Sequence, residues 1–213
     1  MSERSPTSRV SAAFFARETA IVGAELIGCL LVTRVANIET IGRIIETEAY
    51  HGADDLASHA ARLRTGRVAV MSGPVGVSYV YRSYGIHVML NVVAHTPGSV
   101  GAVLIRALEP VSGVETMRTR RGGLPDRLLC SGPGRLCTAM GISLDDHGVD
   151  ITQSDVIQFV PGSGSSTRFV LASGRIGVSR AKDDLWRFFE ADNPYVSASR
   201  RGTPFVVESG ILW

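Results

Sequence analysis

Two apolar runs separated by a tight turn, between residues 75 and 94, restrict the fold of this chain more than any other feature. Val75 to Arg82 alternates in hydrophobicity, Ser83-Tyr84-Gly85 is typical of a turn, and Ile86 to Ala94 is again apolar. Together they predict a β-hairpin, whose strands must run antiparallel.

The rest of the chain extends this hairpin into a sheet. Thr19, as an N-cap, begins a predicted helix that ends near Gly28, and further helices are predicted at Gly113–Arg121 and after the Ser131-Gly132-Pro133-Gly134 turn. Further strands are predicted at Cys29–Val35, Thr40–Tyr50, Val100–Leu108, Asp155–Val160, Arg168–Ala172, Arg175–Ser179 and Trp186–Glu190. Hairpin spacings outnumber strand–helix–strand spacings, so we expect a mixed α/β (α+β) fold with a mostly antiparallel sheet. With 213 residues, the chain is expected to form a single domain spanning 1–213.

Several classes of protein are excluded or disfavoured by what the sequence lacks. Its three cysteines form no C-x-x-C pair, so we expect a reducing, cytoplasmic environment and no zinc site. The polar start is unlike a signal peptide, and the most apolar stretch, Ala20 to Thr33, is too short to span a bilayer. Motifs for metal hydrolysis, serine hydrolysis and nucleotide cofactors are absent, so we expect neither a metal nor a cofactor.

Charge is distributed unevenly although the net charge is only +2. The segment from Leu56 to Leu108 contains no Asp or Glu. It carries five arginines, which are Arg62, Arg64, Arg67, Arg82 and Arg106. Such a basic block would attract a phosphate backbone, unless acidic residues from elsewhere fold back over it.

Two carboxylates and a tyrosine are predicted to share one face of a strand. Side chains alternate along a strand, so Glu46, Glu48 and Tyr50 point to the same side. Neighbouring carboxylates repel, and at least one should have a raised pKa unless an arginine or water screens it. The cluster is a candidate site for a general base, or else an exposed polar face.

Three of the five tyrosines lie within six positions of the predicted hairpin. Tyr79 and Tyr81 share a strand face, and Tyr84 lies at the turn, where it has no core to enter. Exposed aromatic residues beside arginine are suited to stacking on a base or wedging between base pairs. The alternative is a core strand with a partly exposed turn residue.

Three further residues are candidates on weaker grounds. Asn91 and Arg106 are polar residues inside apolar strands and therefore need partners; Glu48 is a candidate for Arg106. His59 lies in the segment without acidic residues. Each of the three has a structural interpretation beside the functional one.

One reaction class accommodates these features. An enzyme that acts on a base must take it out of the duplex, fill the gap, stack the base and activate water. A non-catalytic nucleic-acid-binding module and a small-molecule hydrolase such as a nucleosidase remain alternatives. The first does not explain a carboxylate in a basic groove, and the second does not explain a tyrosine at a hairpin tip.

The sequence resembles the alkyladenine (3-methyladenine) DNA glycosylases over about residues 14–197. The matching segments are 43–50 (RIIETEAY), 79–81 (YVY), 84–85 (YG), 104–110 (LIRALEP), 129–134 (LCSGPG), 175–178 (RIGV) and 193–197 (NPYVS). The resemblance implies a curved, mostly antiparallel sheet with surrounding helices and a protruding hairpin, similar to the RNA-binding C-terminal domain of formyltransferases. Residues 1–13 and 198–213 would be terminal extensions.

The resemblance also implies a function. The chain would be a monomeric, monofunctional enzyme of base excision repair, associated with the nucleoid. It would remove 3-methyladenine, 7-methylguanine, or neutral bases such as hypoxanthine or ethenoadenine, from double-stranded DNA. Glu48 would activate the water, and Arg106 and the carbonyl of Ile176 would position it.

The same resemblance assigns the base pocket. Tyr50, His59 and Tyr81 would enclose the flipped base, Asn91 would form the pocket floor and exclude normal guanine, and Tyr84 would intercalate in the DNA. The chain departs from the family in the loop after His59. It has Thr65-Gly66-Arg67-Val68 where Thr-Pro-Arg-Asn is common, and Met71-Ser72 where Met-Phe is common. The departures concern DNA affinity and substrate range more than the chemistry.

Overall fold

The computed structural model describes residues 9–162, 169–198 and 201–205. Most of the expected terminal extensions lies outside the described residues. In chain order the described strands are β1 (Leu30–Val35), β2 (Ile38–His51), β3 (Ser78–Ser83), β4 (His87–Val93), β5 (Gly101–Ser112), β6 (Ile157–Val160), β7 (Val170–Ser173), β8 (Arg187–Glu190) and β9 (Thr203–Phe205).

These strands form one sheet in the order β3-β4-β5-β2-β8-β7-β9, and β1 pairs with both β2 and β6. Every strand pair is antiparallel. The prediction of a mixed α/β fold with a mostly antiparallel sheet is therefore confirmed. The long strand β2 pairs with β1, β5 and β8, which places its residues at the centre of the sheet.

Short helices cover the sheet and bury its apolar side chains. They are α1 (Ala12–Phe15), α2 (Thr19–Glu25), α3 (Val114–Arg120), α4 (Asp126–Leu129) and α5 (Pro133–Met140), with 3₁₀ turns at His59–Ala61, Gly66–Ser72 and Leu144–Asp146. Helix α2 packs on β2 and β5, while α5 packs on β4 and β5. None of the helices in the described ranges is long and apolar enough to cross a membrane.

Two local predictions were wrong. The N-cap of α2 is Glu18, whose carboxylate accepts from the Ile21 amide, and Thr19 instead donates to the carbonyl of Ala94. The segment 175–179 contains no strand. Arg175 there is buried in an ion pair, and Gly177 adopts a φ of 76°, which a strand does not allow.

An irregularity in the pairing of β2 with β5 lies beside the candidate carboxylates. The register shifts between Ile44 and Glu46 and again between Glu46 and Thr47. Bulges of this kind bend a strand and redirect its side chains. Here the irregularity accompanies an arrangement in which Arg106 of β5 reaches both Glu46 and Glu48.

Candidate active site

A cavity of about 380 Å³ opens where β3, β4 and β5 meet the loop segments 56–62 and 176–179. Seven of the eight predicted site residues line it; they are Tyr50, His59, Tyr81, Tyr84, Asn91, Arg106 and Ile176. The eighth, Glu48, is fully buried and hydrogen-bonds to three of the others. The fold thus brings together residues that are up to 128 positions apart in sequence.

Three donors fix the Glu48 carboxylate. One oxygen, Oε2, accepts from the Tyr50 hydroxyl at 2.7 Å and from Nη1 of Arg106 at 3.2 Å. The other oxygen accepts from the backbone amide of Ile176 at 2.7 Å. Burial and the neighbouring carboxylate of Glu48 raise the pKa of Tyr50 well above its usual value, so this phenol remains a donor at neutral pH.

Glu46 has a different environment from Glu48. Its Oε1 accepts from Nε of Arg106 at 2.9 Å, from Nε of Arg187 at 2.8 Å and from the hydroxyl of Ser197 at 3.0 Å. Burial alone would raise the pKa of Glu46, but Arg106 and Arg187 outweigh burial and hold it below its usual range. We expected a raised pKa for at least one of the two carboxylates unless an arginine or water screens it. At Glu46 the arginines provide that screening.

Aromatic rings form one wall of the cavity. Tyr79 and Tyr81 stack with ring centroids 5.1 Å apart, and the His59 ring meets Tyr81 edge-on at 4.7 Å. Nδ1 of His59 lies 2.9 Å from the Tyr79 hydroxyl. Burial, with nearby Arg62, lowers the pKa of His59, and burial, with nearby Glu48, raises that of Tyr81 to about 12. Both side chains are therefore neutral at physiological pH.

The rest of the cavity lining is mixed in polarity. Asn91 is buried and donates from Nδ2 to the backbone carbonyl of Tyr79 at 2.9 Å. It also lines the cavity, so its structural and its pocket-lining interpretations both apply. Met71, Met89 and Leu104 supply apolar surface.

The hairpin tip carries two exposed apolar side chains, of which Tyr84 lines the cavity. Tyr84 is 89% exposed and Ile86 is 72% exposed. Tyr84 has a φ of 49°, a left-handed conformation that side chains other than glycine rarely adopt. The alternative interpretation, a core strand with a partly exposed turn residue, accounts for Tyr79, which is buried. It does not account for the exposure of Tyr84.

The arginines of the acid-free segment have different partners. Arg106 binds the two carboxylates on β2, as acidic residues folding back would predict. Arg62 and Arg67 instead donate to backbone carbonyls, those of Leu56 and of Val80 and Leu144 respectively. Of these two residues, Arg62 lines the cavity.

Sequence reasoning missed a second buried ion pair behind the cavity. Arg175 binds Asp55 through two hydrogen bonds of 2.6 and 2.8 Å, and both side chains are fully buried. Arg187, which binds Glu46, was also missed, although a charged residue directly before the apolar pair Phe188-Phe189 is a signal that could have found it. In the described parts of the chain, no group of three or more His, Cys, Asp or Glu side chains could hold a metal ion.

Comparison with known proteins gives a further line of evidence on the family to which the chain is related. The sequence model of the methylpurine-DNA glycosylase (MPG) family matches residues 13–194. A protein of Carboxydothermus hydrogenoformans is 42% identical over 86% of this chain and 96% of its own length. One from Chlorobaculum tepidum is 41% identical over 92% and 94%, and one from Rhodopseudomonas palustris is 46% identical over 86% and 85%. Each of the three is named "Putative 3-methyladenine DNA glycosylase".

Proposed function

The chain belongs to the methylpurine-DNA glycosylase family, and from this premise we propose that it removes damaged purines from duplex DNA. It is a DNA repair hydrolase that acts on N-glycosyl bonds. The proposed reaction flips a 3-methyladenine or 7-methylguanine nucleotide into the cavity and leaves an abasic site. Neutral bases such as hypoxanthine and ethenoadenine are proposed as further substrates.

The observation that carries the proposal is the Glu48 carboxylate, which three donors hold beside an aromatic cavity. In the proposed mechanism Glu48 takes a proton from water as the water attacks C1′ of the sugar. The negative charge of Glu48 also stabilises the positive charge that develops on the sugar ring. Arg106 and the carbonyl of Ile176 would hold the water.

The cavity wall supports recognition by stacking. A purine alkylated at N3 or N7 carries positive charge, so it leaves with little help from an acid. Neutral rings such as those of Tyr50, His59 and Tyr81 would favour that cation by about 0.5–2 kcal/mol. Asn91, fixed by the Tyr79 carbonyl, would contact the edge of the base and exclude normal guanine.

The hairpin tip supports insertion into DNA. Flipping a base costs a few kcal/mol, and an exposed ring that fills the vacated stack offsets part of that cost. Tyr84 has this exposure and lies at the cavity mouth. Arg62, which lines the same cavity, would attract the phosphate backbone. We propose that a single monomer carries out the reaction with its own residues alone.

The decisive experiment compares wild type with Glu48→Gln on methylated duplex DNA, in EDTA. Wild type should release 3-methyladenine and 7-methylguanine, detected by chromatography. Glu48→Gln should lower the release rate at least a hundredfold because its amide cannot accept the proton. It should still bind a duplex that carries one lesion.

Other outcomes would reject parts of the proposal. Full activity of Glu48→Gln would remove the proposed role of this carboxylate. Tight lesion binding without release by wild type would favour a binding module on the same scaffold. Loss of wild-type activity in EDTA would contradict a reaction that needs no divalent metal.

A further inference from the structure

The guanidinium of Arg175 lies against the ring of Tyr50. Its central carbon is 4.7 Å from the ring centroid of Tyr50 and 4.9 Å from that of Trp186, so the cation contacts two aromatic rings. Tyr50 lines the cavity, whereas the side chain of Arg175 is fully buried and does not. The face of Tyr50 that Arg175 covers is therefore turned away from the cavity.

Neighbouring groups fix this cation. Nη1 donates to the Ala49 carbonyl at 3.0 Å, and both terminal nitrogens donate to the carboxylate of Asp55. A second carboxylate, that of Asp184, lies 3.9 Å from Nη2. Burial alone would lower the pKa of Arg175, but the bonds to Asp55 outweigh burial and raise it. The positive charge behind Tyr50 is therefore permanent.

A cation on one face of a ring draws on the same π electrons as a cation on the other face. The rear charge must weaken the attraction of Tyr50 for a positively charged base and leave its packing against a neutral base nearly unchanged. The carboxylate of Asp55, which is bonded to both terminal nitrogens of Arg175, offsets part of this effect.

We propose that Arg175 is a specificity-determining residue that lowers the preference of the cavity for cationic purines over neutral ones. The inference rests on the proposed function, since it concerns the base that enters the same cavity. Its consequence is a pocket whose preference for cationic over neutral damaged purines is smaller than the same aromatic rings would have without the rear charge.

The test uses two lesions of the same shape but different charge. Duplexes of one sequence carry either 7-methylguanine, which is cationic, or 7-methyl-7-deazaguanine, which is neutral. Dissociation constants are measured with Glu48→Gln as the parent, so that the base is not released. The ratio of the two constants cancels the contribution of the rest of the DNA.

Two variants of the ion pair should move this ratio in opposite directions. Arg175→Gln removes the rear charge and should shift the ratio roughly fivefold toward the cationic lesion. Asp55→Asn leaves the rear charge without its carboxylate and should shift the ratio about twofold toward the neutral lesion. Arg175→Lys keeps the charge and should stay near the parent.

A residue with only a structural role gives a different result. If both variants shift the ratio in one direction, or leave it unchanged, the inference is wrong; it is also wrong if Arg175→Lys behaves like Arg175→Gln. If Arg175→Gln does not fold, as judged by near-ultraviolet circular dichroism, the direction of the Asp55→Asn shift decides. Release of 7-methylguanine by wild type, lost in Glu48→Gln, keeps the proposed function whichever way the ratio moves.

Discussion

Two glutamates on one strand face have separate tasks at the scale of single residues. Glu48 faces the cavity residues, whereas Glu46 is bound by Arg106, Arg187 and Ser197. Glu46 also holds the guanidinium of Arg106, which contacts Glu48. Glu46 thus acts as the counter-ion that keeps two arginines buried.

Glu46→Gln should therefore lower the free energy of unfolding by about 3 kcal/mol, because it leaves two buried guanidinium groups short of a carboxylate. Urea unfolding at pH 7 measures the change. Glu109→Gln is the matched control: it also removes a carboxylate bonded to an arginine of β2, Arg43, but that pair is partly exposed. The control should lose less than about 1 kcal/mol. Equal losses would contradict the argument.

The alternation of side chains along β2 was enough to place Glu48 and Tyr50 together, and their hydrogen bond confirms the shared face. The partners of Glu46 could not be inferred in this way. Arg187 and Ser197 lie 141 and 151 positions away, and only the completed sheet brings them close.

At the scale of elements, the hairpin is the one in which a substitution is expected to weaken DNA binding without lowering the stability of the fold. Tyr84 is exposed and strained, so Tyr84→Gly should not lower the free energy of unfolding, since glycine adopts a φ of 49° without steric cost. The same change should weaken binding to a lesion-containing duplex about tenfold, through loss of one stacked ring. Urea unfolding and fluorescence anisotropy measure the two effects.

Phe169→Gly provides the control for this pair of effects. Phe169 is 74% exposed and lies just before β7, near the sheet edge opposite the hairpin. Its replacement should leave lesion binding unchanged. Equal weakening by both variants would remove the special role of the tip.

The strands of the hairpin and of the sheet centre were predicted well because their apolar runs are long. The segment 175–179 was not, because an ion pair overrides its apolar pattern. In loop 65–72, by contrast, apolar packing and not an ion pair determines the local structure. Val68, which stands where the family resemblance would place an asparagine, is buried against Met71 and Tyr79, so apolar packing holds this 3₁₀ segment.

The whole molecule depends on the order of its strands. Four chain regions meet at the site because β5 and β8 flank β2 and the 174–178 segment follows β7. Antiparallel pairing was predictable from hairpin spacing, but strand order was not, since β8 joins β2 from far along the chain. It was therefore easier to predict which residues meet at the cavity than which strands and ion pairs support them.

Those supports also determine how the molecule responds to acid. For Asp55, as for Glu46, burial raises the pKa but the ion pairs outweigh burial, so each pKa is lowered. The contribution of these two groups to stability is complete above their usual pKa values, 4.5 for Glu46 and 3.8 for Asp55. It is lost as pH falls through their lowered pKa values. Burial also lowers the pKa of His59 and of His147, so their contribution is lost from pH 6.5 downwards.

Stability should therefore fall in two stages as pH decreases, because all four shifts have the same sign. His147 accepts a hydrogen bond from the Val80 amide on Nδ1, which protonation would break. In urea unfolding between pH 7 and pH 3, the double variant His59→Gln/His147→Gln should lack most of the first decline. Asp55→Asn should be less stable at pH 7 and show a shallower second decline. An unchanged profile in both variants would mean that acid unfolding is governed by other groups.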